Sequence, residues 1–221
     1  MTGTSSTGHP KANIIAAFTK VYDENIWQRK DTSGPGSSAQ HTGEYRTFLH
    51  RLLRQKQVKY LLDVGCGLWE YMQHVNLSDI EYLGIDPVAS VIQRNKTLGL
   101  PSNISFQCGT IDDVPDLSRY DMAIVKDVFQ HLPNSLIIEM LEKLKVIPTL
   151  GVTNDLLKEP NVDCPLGGFR KINLETPPFS VSVAGKMDFV SVPFVKRTLV
   201  IQNDVDAAAR ASSTSSSSVT A

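Results

Sequence analysis

Two acidic residues and two glycines carry the first chemical signal of this sequence. An apolar run over 59–64 ends in Asp63-Val64-Gly65-Cys66-Gly67, and the next run, Glu81–Asp86, ends in an acid. Glycines at the tip of a buried strand let a ligand press against bare backbone, because no Cβ intervenes. A carboxylate at the tip of the neighbouring strand accepts hydrogen bonds from both hydroxyls of a ribose. A dinucleotide fingerprint would place a third glycine three residues after Gly67, where Glu70 stands, in Gly67-Leu68-Trp69-Glu70. Large side chains there leave little room for a pyrophosphate, which argues against NAD and FAD.

A second group follows the fourth apolar run, in Lys126-Asp127-Val128-Phe129-Gln130-His131. In a doubly wound sheet, ligands sit outside the carboxyl ends of the strands, so Asp127 and His131 are the candidate catalytic residues. A histidine titrates near neutrality and can take a proton from an acceptor hydroxyl or amine. The other reading is a packing or capping histidine ahead of the helix that begins after Pro133. The segment lacks the Asn/Asp-Pro-Pro-Tyr/Phe pattern that holds exocyclic amino nitrogens, which disfavours a base-modifying enzyme. Further along, Asn154, Phe169 and Arg170 are candidate acceptor-binding residues in a long loop. Arg170 has two readings, as an anion binder or as a partner of Asp163 or Glu175. The Gly/Ser stretch Ser33-Gly34-Pro35-Gly36-Ser37, beside Trp27, is either a lid or a linker. Tyr45 is a further acceptor-binding candidate and, with Glu44 and Arg46, is either part of the lid or on the surface of the next helix.

The elements that must position these residues alternate as a parallel sheet requires. Helices are expected over 11–26 and 44–56, then strands over 59–64, 81–86, 104–108, 121–126 and, weakened by Gly151, 148–153. Helices are expected over 68–75, over 88–97 and from Asn134, as N-cap, to Lys145, with Glu139 and Lys143 paired outward. Residues 154–180 read as loop, and 188–194 with 197–203 as a closing hairpin. The chain divides into a flexible arm (1–10), helices with a lid loop (11–57), a cofactor-binding catalytic domain (58–206) and a disordered Ser-rich tail (207–221).

Taken together, LLDVGCG, GIDP, FQCGTIDDVP and DMAIVKDVFQHLP resemble the class I S-adenosylmethionine (SAM)-dependent methyltransferases, from about Tyr60 to Leu144. The resemblance implies a Rossmann-like α/β fold: a mostly parallel seven-stranded sheet with a C-terminal antiparallel hairpin and an N-terminal helical lid. It implies that Gly65, Cys66 and Gly67 lie under SAM, that Asp63 holds its amino group and that Asp86 and Pro87 meet the ribose. Thr110 and Ile111 would flank adenine, with Thr110 standing where many members carry an acid. Lys126 and the lid residues Trp27, Ser33, Gly34, Gly36 and Ser37 would complete the cofactor site. The implied reaction is methyl transfer from SAM, leaving S-adenosylhomocysteine. The expected acceptor is a small polar metabolite, methylated on oxygen or nitrogen. A protein side chain as acceptor and a silent SAM-binding regulatory protein are the alternatives.

Composition narrows the rest. A net charge of −1 provides no global field for nucleic acid. The basic run Arg51, Arg54, Lys56, Lys59 backs onto the apolar stripe Phe48, Leu49, Leu52, Leu53 and reads as the wet face of a helix. Cys66, Cys108 and Cys164 are scattered, which predicts reduced thiols and no metal site. No apolar run approaches the ~18 residues of a membrane span, and the polar N-terminus carries no signal-peptide core, so a cytoplasmic protein is expected.

Overall fold

Residues 10–26, 35–191 and 194–205 are described by the computed structural model. The expected arm (apart from Pro10), the tail, and the lid positions Trp27, Ser33 and Gly34 lie outside them. Seven strands form one sheet: β1 (Tyr60–Val64), β2 (Glu81–Asp86), β3 (Ile104–Cys108), β4 (Met122–Lys126), β5 (Thr149–Asp155), β6 (Gly185–Ser191) and β7 (Phe194–Gln202). Their order is β3-β2-β1-β4-β5-β7-β6. The first five run parallel, and β7 is antiparallel to both β5 and β6. The central strands β4 and β5 are buried along their whole length, and β4 accordingly reads as a continuous apolar run, Met122–Val125, without alternation.

Gly151 does not weaken β5. A Cβ there would lie 2.9 Å from the Cε of Met122, so the bare Cα is what lets the β4 methionine cross the sheet face. The strand also runs further than the expected 148–153. β7 pairs with it from Thr149↔Gln202 to Asp155↔Lys196, and those ladder bonds carry it two residues beyond its apolar signal.

One helix layer covers each face. In α2 (Gly43–Gln55), Tyr45, Leu49, Leu52 and Leu53 are buried against Leu61, Met122, Ile124 and Phe189. Arg51, Arg54 and Lys56 stay exposed on its other side, so the basic run is a solvated face. In α4 (Asn134–Leu144), Ile137, Met140 and Leu144 pack on the opposite face with Leu62, Ala123, Val125 and Leu150. α3 (Ala89–Lys96) lies along β2 and β3. The architecture is the Rossmann-like fold expected, with the C-terminal hairpin in place.

Two local expectations are corrected. Residues 68–75 form no α-helix, only a single 3-10 turn over Met72–His74. Leu68, Trp69, Tyr71 and Met72 are all buried, and the left-handed backbone at Trp69 cannot continue an α-helix. Trp69 takes a left-handed φ of 59° to fold the segment inward. Asn134 makes no side-chain cap; instead its backbone N–H donates to Asp163 Oδ1 at 2.8 Å, so the cap comes from the distant loop. That loop is itself held down, with Ile172 and Leu174 buried and Phe179, Val181 and Val183 packed on the α4 side of the core.

The N-terminal helix α1 (Pro10–Asp23) lies across the carboxyl ends of the strands. Lys11 forms an ion pair with Asp113, which follows β3. The hydrogen bonds from Lys11 and from the Thr110 backbone hold the Asp113 carboxyl below its ordinary range. Among the described residues, no helix is long and apolar enough to cross a membrane.

Candidate functional site

The strand order reverses between β1 and β4, and a cleft opens at their carboxyl ends. This is the switch point at which doubly wound sheets bind ligands. Of the residues expected there, Ser37, Gly65, Cys66, Gly67, Asp86, Pro87, Thr110, Ile111, Lys126, Asp127 and His131 line it. Ile14, Phe18 and Tyr22 of α1 supply its roof, in keeping with the expected N-terminal helical lid, although these three were not among the expected site residues.

On the β1 side, Gly65 has φ 73°, and a Cβ there would meet Val128 Cγ2 at 2.4 Å, so only glycine permits the turn. Cys66 contributes backbone. Its thiol turns inward, 3.7 Å from the Gly67 carbonyl, and burial pushes its pKa up. Asp86, 5% exposed, accepts from the Val88 N–H at 3.0 Å and from the Gly67 N–H at 3.2 Å. Burial raises its pKa to about 6 against those two donors. Behind the loop, Asn95 Nδ2 donates to the Gly67 carbonyl at 2.7 Å. Thr110 is committed to Asp113, whose Oδ2 accepts from its N–H at 2.8 Å and lies 3.3 Å from its hydroxyl.

Asp63 is not among the cleft-lining residues. The alternation of β1 turns it to the α2 side with Leu61, where Tyr82 donates to its Oδ2 at 2.6 Å. Burial raises its pKa to about 7, opposed by that hydrogen bond and by Lys126. An acid with a raised folded pKa binds protons more tightly folded than unfolded, where it titrates near ~3.9. Its contribution to stability therefore falls as pH rises from about 4 to about 7. Asp63→Asn, which keeps an acceptor for Tyr82, is expected to raise the Tm at pH 8 and to change it little at pH 4. Calorimetric melts at both pH values check this; an equal change at both would remove the buried charge as the cause.

The β4 side holds an alternating chain of charges. Lys126 Nζ donates to Asp127 Oδ2 at 2.5 Å and to the Gly36 carbonyl at 2.7 Å. Lys196 Nζ donates to Asp127 Oδ1 at 2.7 Å and to Asp155 Oδ1 at 2.6 Å. Burial opposes the charge on Asp127, but the two ammonium groups hold its carboxyl below the ordinary range. They also stabilise its left-handed φ of 59°. Asp127 is thereby an ion-paired anchor with little basicity. Burial lowers the Lys126 pKa against Asp127, and its ammonium lies 5.6 Å and 5.1 Å from the ring centres of Tyr45 and Tyr71. Tyr45 thus supports Lys126 from below and does not line the cleft.

Gly36 sits directly on this chain. A Cβ there would lie 2.8 Å from Asp127 Oδ2 and 2.9 Å from Lys196 Cε. Gly36→Ala is expected to push the 35–37 segment off the site, weakening ligand binding roughly tenfold with little change in Tm. Calorimetric titration alongside a thermal melt checks this; unchanged affinity would mean that the segment does not dock there.

His131 lines the cleft and is 7% exposed. Its Nδ1 lies 2.7 Å from the Gly168 carbonyl, an acceptor, so Nδ1 carries the proton and Nε2 the lone pair of the neutral ring. Burial lowers its pKa, against that hydrogen bond and Asp127. Phe169, 51% exposed, tilts against its ring at 5.7 Å on the outer side. Asn154 also stands outside the cleft. Its Oδ1 accepts the Gln130 N–H at 3.2 Å while Gln130 Oε1 accepts the Asp155 N–H at 2.9 Å, fastening the His131 turn to β5. Arg170 makes no ion pair with Asp163 or Glu175. It donates to Asn134 Oδ1, the Phe129 carbonyl and Cys164 sulfur.

The lining carboxylates, Asp86, Asp112, Asp127 and Glu139, outnumber the ammonium groups of Lys126 and Lys143. Such a surface suits a cationic, ribose-bearing ligand and repels two phosphates. The residues present therefore fit an adenosyl sulfonium: a carboxylate for the hydroxyls, bare backbone at Gly65 and Gly67, and apolar walls at Ile85, Ile111 and Leu132.

Comparison with known proteins gives a consistent picture. Residues 62–146 match a family described as a methyltransferase domain. The ubiquinone biosynthesis O-methyltransferase of Nitrobacter winogradskyi is 28% identical over 74 residues, 33% of this chain and 28% of that enzyme. Its mitochondrial counterpart in Candida albicans is 30% identical over 96 residues, 38% of this chain and 29% of that enzyme. The match thus spans under a third of the length of these curated relatives. Among solved structures, the 1,6-didemethyltoxoflavin-N1-methyltransferase of Burkholderia thailandensis superposes with a TM-score of 0.61 at 13% identity, covering 93% of this chain and 94% of that one. The magnesium protoporphyrin IX methyltransferase of Synechocystis does so with a TM-score of 0.57 at 14% identity, covering 90% and 100%. At these identities the likeness is one of fold.

Proposed function

We propose, for a chain that belongs to the class I SAM-dependent methyltransferase family, that it methylates a hydroxyl group of a small polar acceptor. The observation that carries this reading is His131, placed in the same cleft as Gly65, Gly67 and Asp86, with its Nδ1 on the Gly168 carbonyl, so that the neutral ring carries its basic lone pair on Nε2. Bound SAM would supply an activated methyl group on a sulfonium. Gly65 and Gly67 would hold its amino-acid portion and Asp86 its ribose hydroxyls. Ile85, Pro87, Ile111 and Leu132 would line the adenine end, under the α1 residues Ile14, Phe18 and Tyr22. His131 would take the proton from the acceptor hydroxyl as the oxygen attacks. Orientation in a closed cleft supplies most of the acceleration in such displacements, on the order of 7–11 kcal/mol.

The oxygen preference follows from charge. At the acceptor end, Lys126 and Lys196 cancel Asp127 and Asp155, so no net field remains to draw in an ammonium group. A neutral hydroxyl needs a base, which His131 provides. The curated relatives named as O-methyltransferases point the same way.

Calorimetry with SAM, S-adenosylhomocysteine and NAD tests the cofactor. Transfer of labelled methyl from SAM to a panel of phenols, sugars, hydroxy acids and amines tests the acceptor. SAM binding with product formed from a hydroxylated compound is expected. Binding of NAD in preference to SAM would overturn the cofactor reading. Labelling of amines alone would overturn the oxygen preference, and SAM binding with no turnover would favour a silent regulatory module.

A further inference from the structure

The structure contains one more functional group that neither motif nor comparison marks, the ammonium of Lys196. It enters from the antiparallel strand β7, opposite Asp155 in the register, and its side chain is 4% exposed. Its two partners, at 2.7 Å and 2.6 Å, are the carboxylates at the carboxyl ends of β4 and β5. Both carboxylates lie close to the His131 turn. Asp127 is four residues upstream, and the Asp155 N–H is bonded to Gln130, the residue before His131.

We propose that Lys196 is a positioning residue for the acceptor end of the cleft: it pins and neutralises Asp127 and Asp155, so that His131 can work beside them as a neutral imidazole. The proposal rests on the methyl-transfer reading only for its catalytic consequence. The charge arrangement stands independently of it. A carboxylate favours a protonated imidazole nearby, and an ammonium opposes one. Two carboxylates beside His131 with Lys126 as the sole counter-charge would leave an excess negative charge at the base. Lys196 removes that excess, and both acids and Lys196 bear electrostatically on His131.

Among the described residues, the other charged groups near His131 are already engaged. At the end of β4, Lys126 is held by Asp127 and Gly36. In the loop after β5, Arg170 is held by Asn134 and the Phe129 carbonyl, with the Cys164 thiol beside it. On α4, Glu139 and Lys143 pair with each other, and Lys143 also pairs with Asp112. Among the described residues, Lys196 is thus a group whose loss or retention changes the balance at the base.

The test is an NMR titration of the His131 imidazole in the full chain, assigned with His131→Gln. Lys196→Met is expected to raise the His131 midpoint by roughly one pH unit, and Asp155→Asn to lower it by a similar amount. A lysine with only a structural role could lower the Tm in both variants but would not move the midpoint in opposite directions. An unchanged midpoint in Lys196→Met, or shifts of the same sign in the two variants, overturns the proposal. The SAM affinity of Lys196→Met, measured beside its Tm, reports the integrity of the site. Affinity lost in step with Tm would also overturn it, by showing general collapse of the site. Failure of the unaltered chain to bind SAM would count against the methyltransferase reading and leave the titration result standing.

Discussion

Asp86→Ala is expected to weaken SAM binding by roughly 100-fold or more, because it removes the cleft carboxylate that the proposed reading assigns to the ribose hydroxyls. Hydrogen bonds to a charged acceptor are worth about 1.5–3 kcal/mol each, so losing two exceeds two decades in affinity. Part of the loss would be indirect, since the same carboxylate receives the Gly67 and Val88 N–H groups and so shapes the glycine turn. Asp86→Asn separates the two contributions, keeping an acceptor oxygen while removing the charge. Burial has raised the Asp86 pKa to about 6, so the unaltered chain should lose SAM affinity as pH falls from 8 to 5, while Asp86→Asn should stay nearly flat. Calorimetric titration across that range checks both. Full affinity in Asp86→Ala would remove the ribose assignment, and a flat profile in the unaltered chain would remove the charge from it.

The parts of this site legible in the sequence were those built from local chain geometry. A strand that ends in glycines, and an acid at the tip of the next strand, are fixed by a few neighbouring residues, so Gly65, Gly67 and Asp86 fall in one cleft. Asp63 looks alike in sequence, yet it sits one pleat from the cleft side, where strand alternation directs it to Tyr82. The 68–75 segment misled for a different reason: its apolar residues match a helix period, but Trp69 takes a left-handed φ that an α-helix cannot carry. Lys196 and Asp155 could not be paired from sequence. Forty residues of chain separate them, and only the antiparallel register of β5 with β7 brings them together. Asp155 did carry a faint signal, as an acid closing a strand in series with Asp86 and Asp127. It was missed because Gly151 shortened the expected strand. Asn154 and Arg170 were placed near the acceptor by loop position alone, and they instead tie down the His131 turn and the start of α4.

His131→Ala is expected to lower the methyl-transfer rate on a hydroxyl acceptor by about 10²–10⁴-fold, the usual contribution of a positioned general base, with SAM affinity nearly unchanged. The split follows from position: Asp86 and the glycine turn lie at the end of β1 and β2, and His131 follows β4. A base must be unprotonated to act, and burial lowers the His131 pKa below the ordinary histidine range. Activity should therefore persist at pH values where an exposed histidine, titrating near ~6.5, would already be half protonated. The acid limb of the pH–rate profile should lie below that value in the unaltered chain. His131→Gln is the sharper control. It has a donor for the Gly168 carbonyl but no basic nitrogen, so restored turnover in that variant would assign His131 to packing rather than proton transfer. If the low rate persists in His131→Gln while Tm and SAM affinity hold, the loss belongs to the base. An acceptor that ionises readily, such as a phenol of low pKa, should then lose the least, because it arrives with its proton already gone.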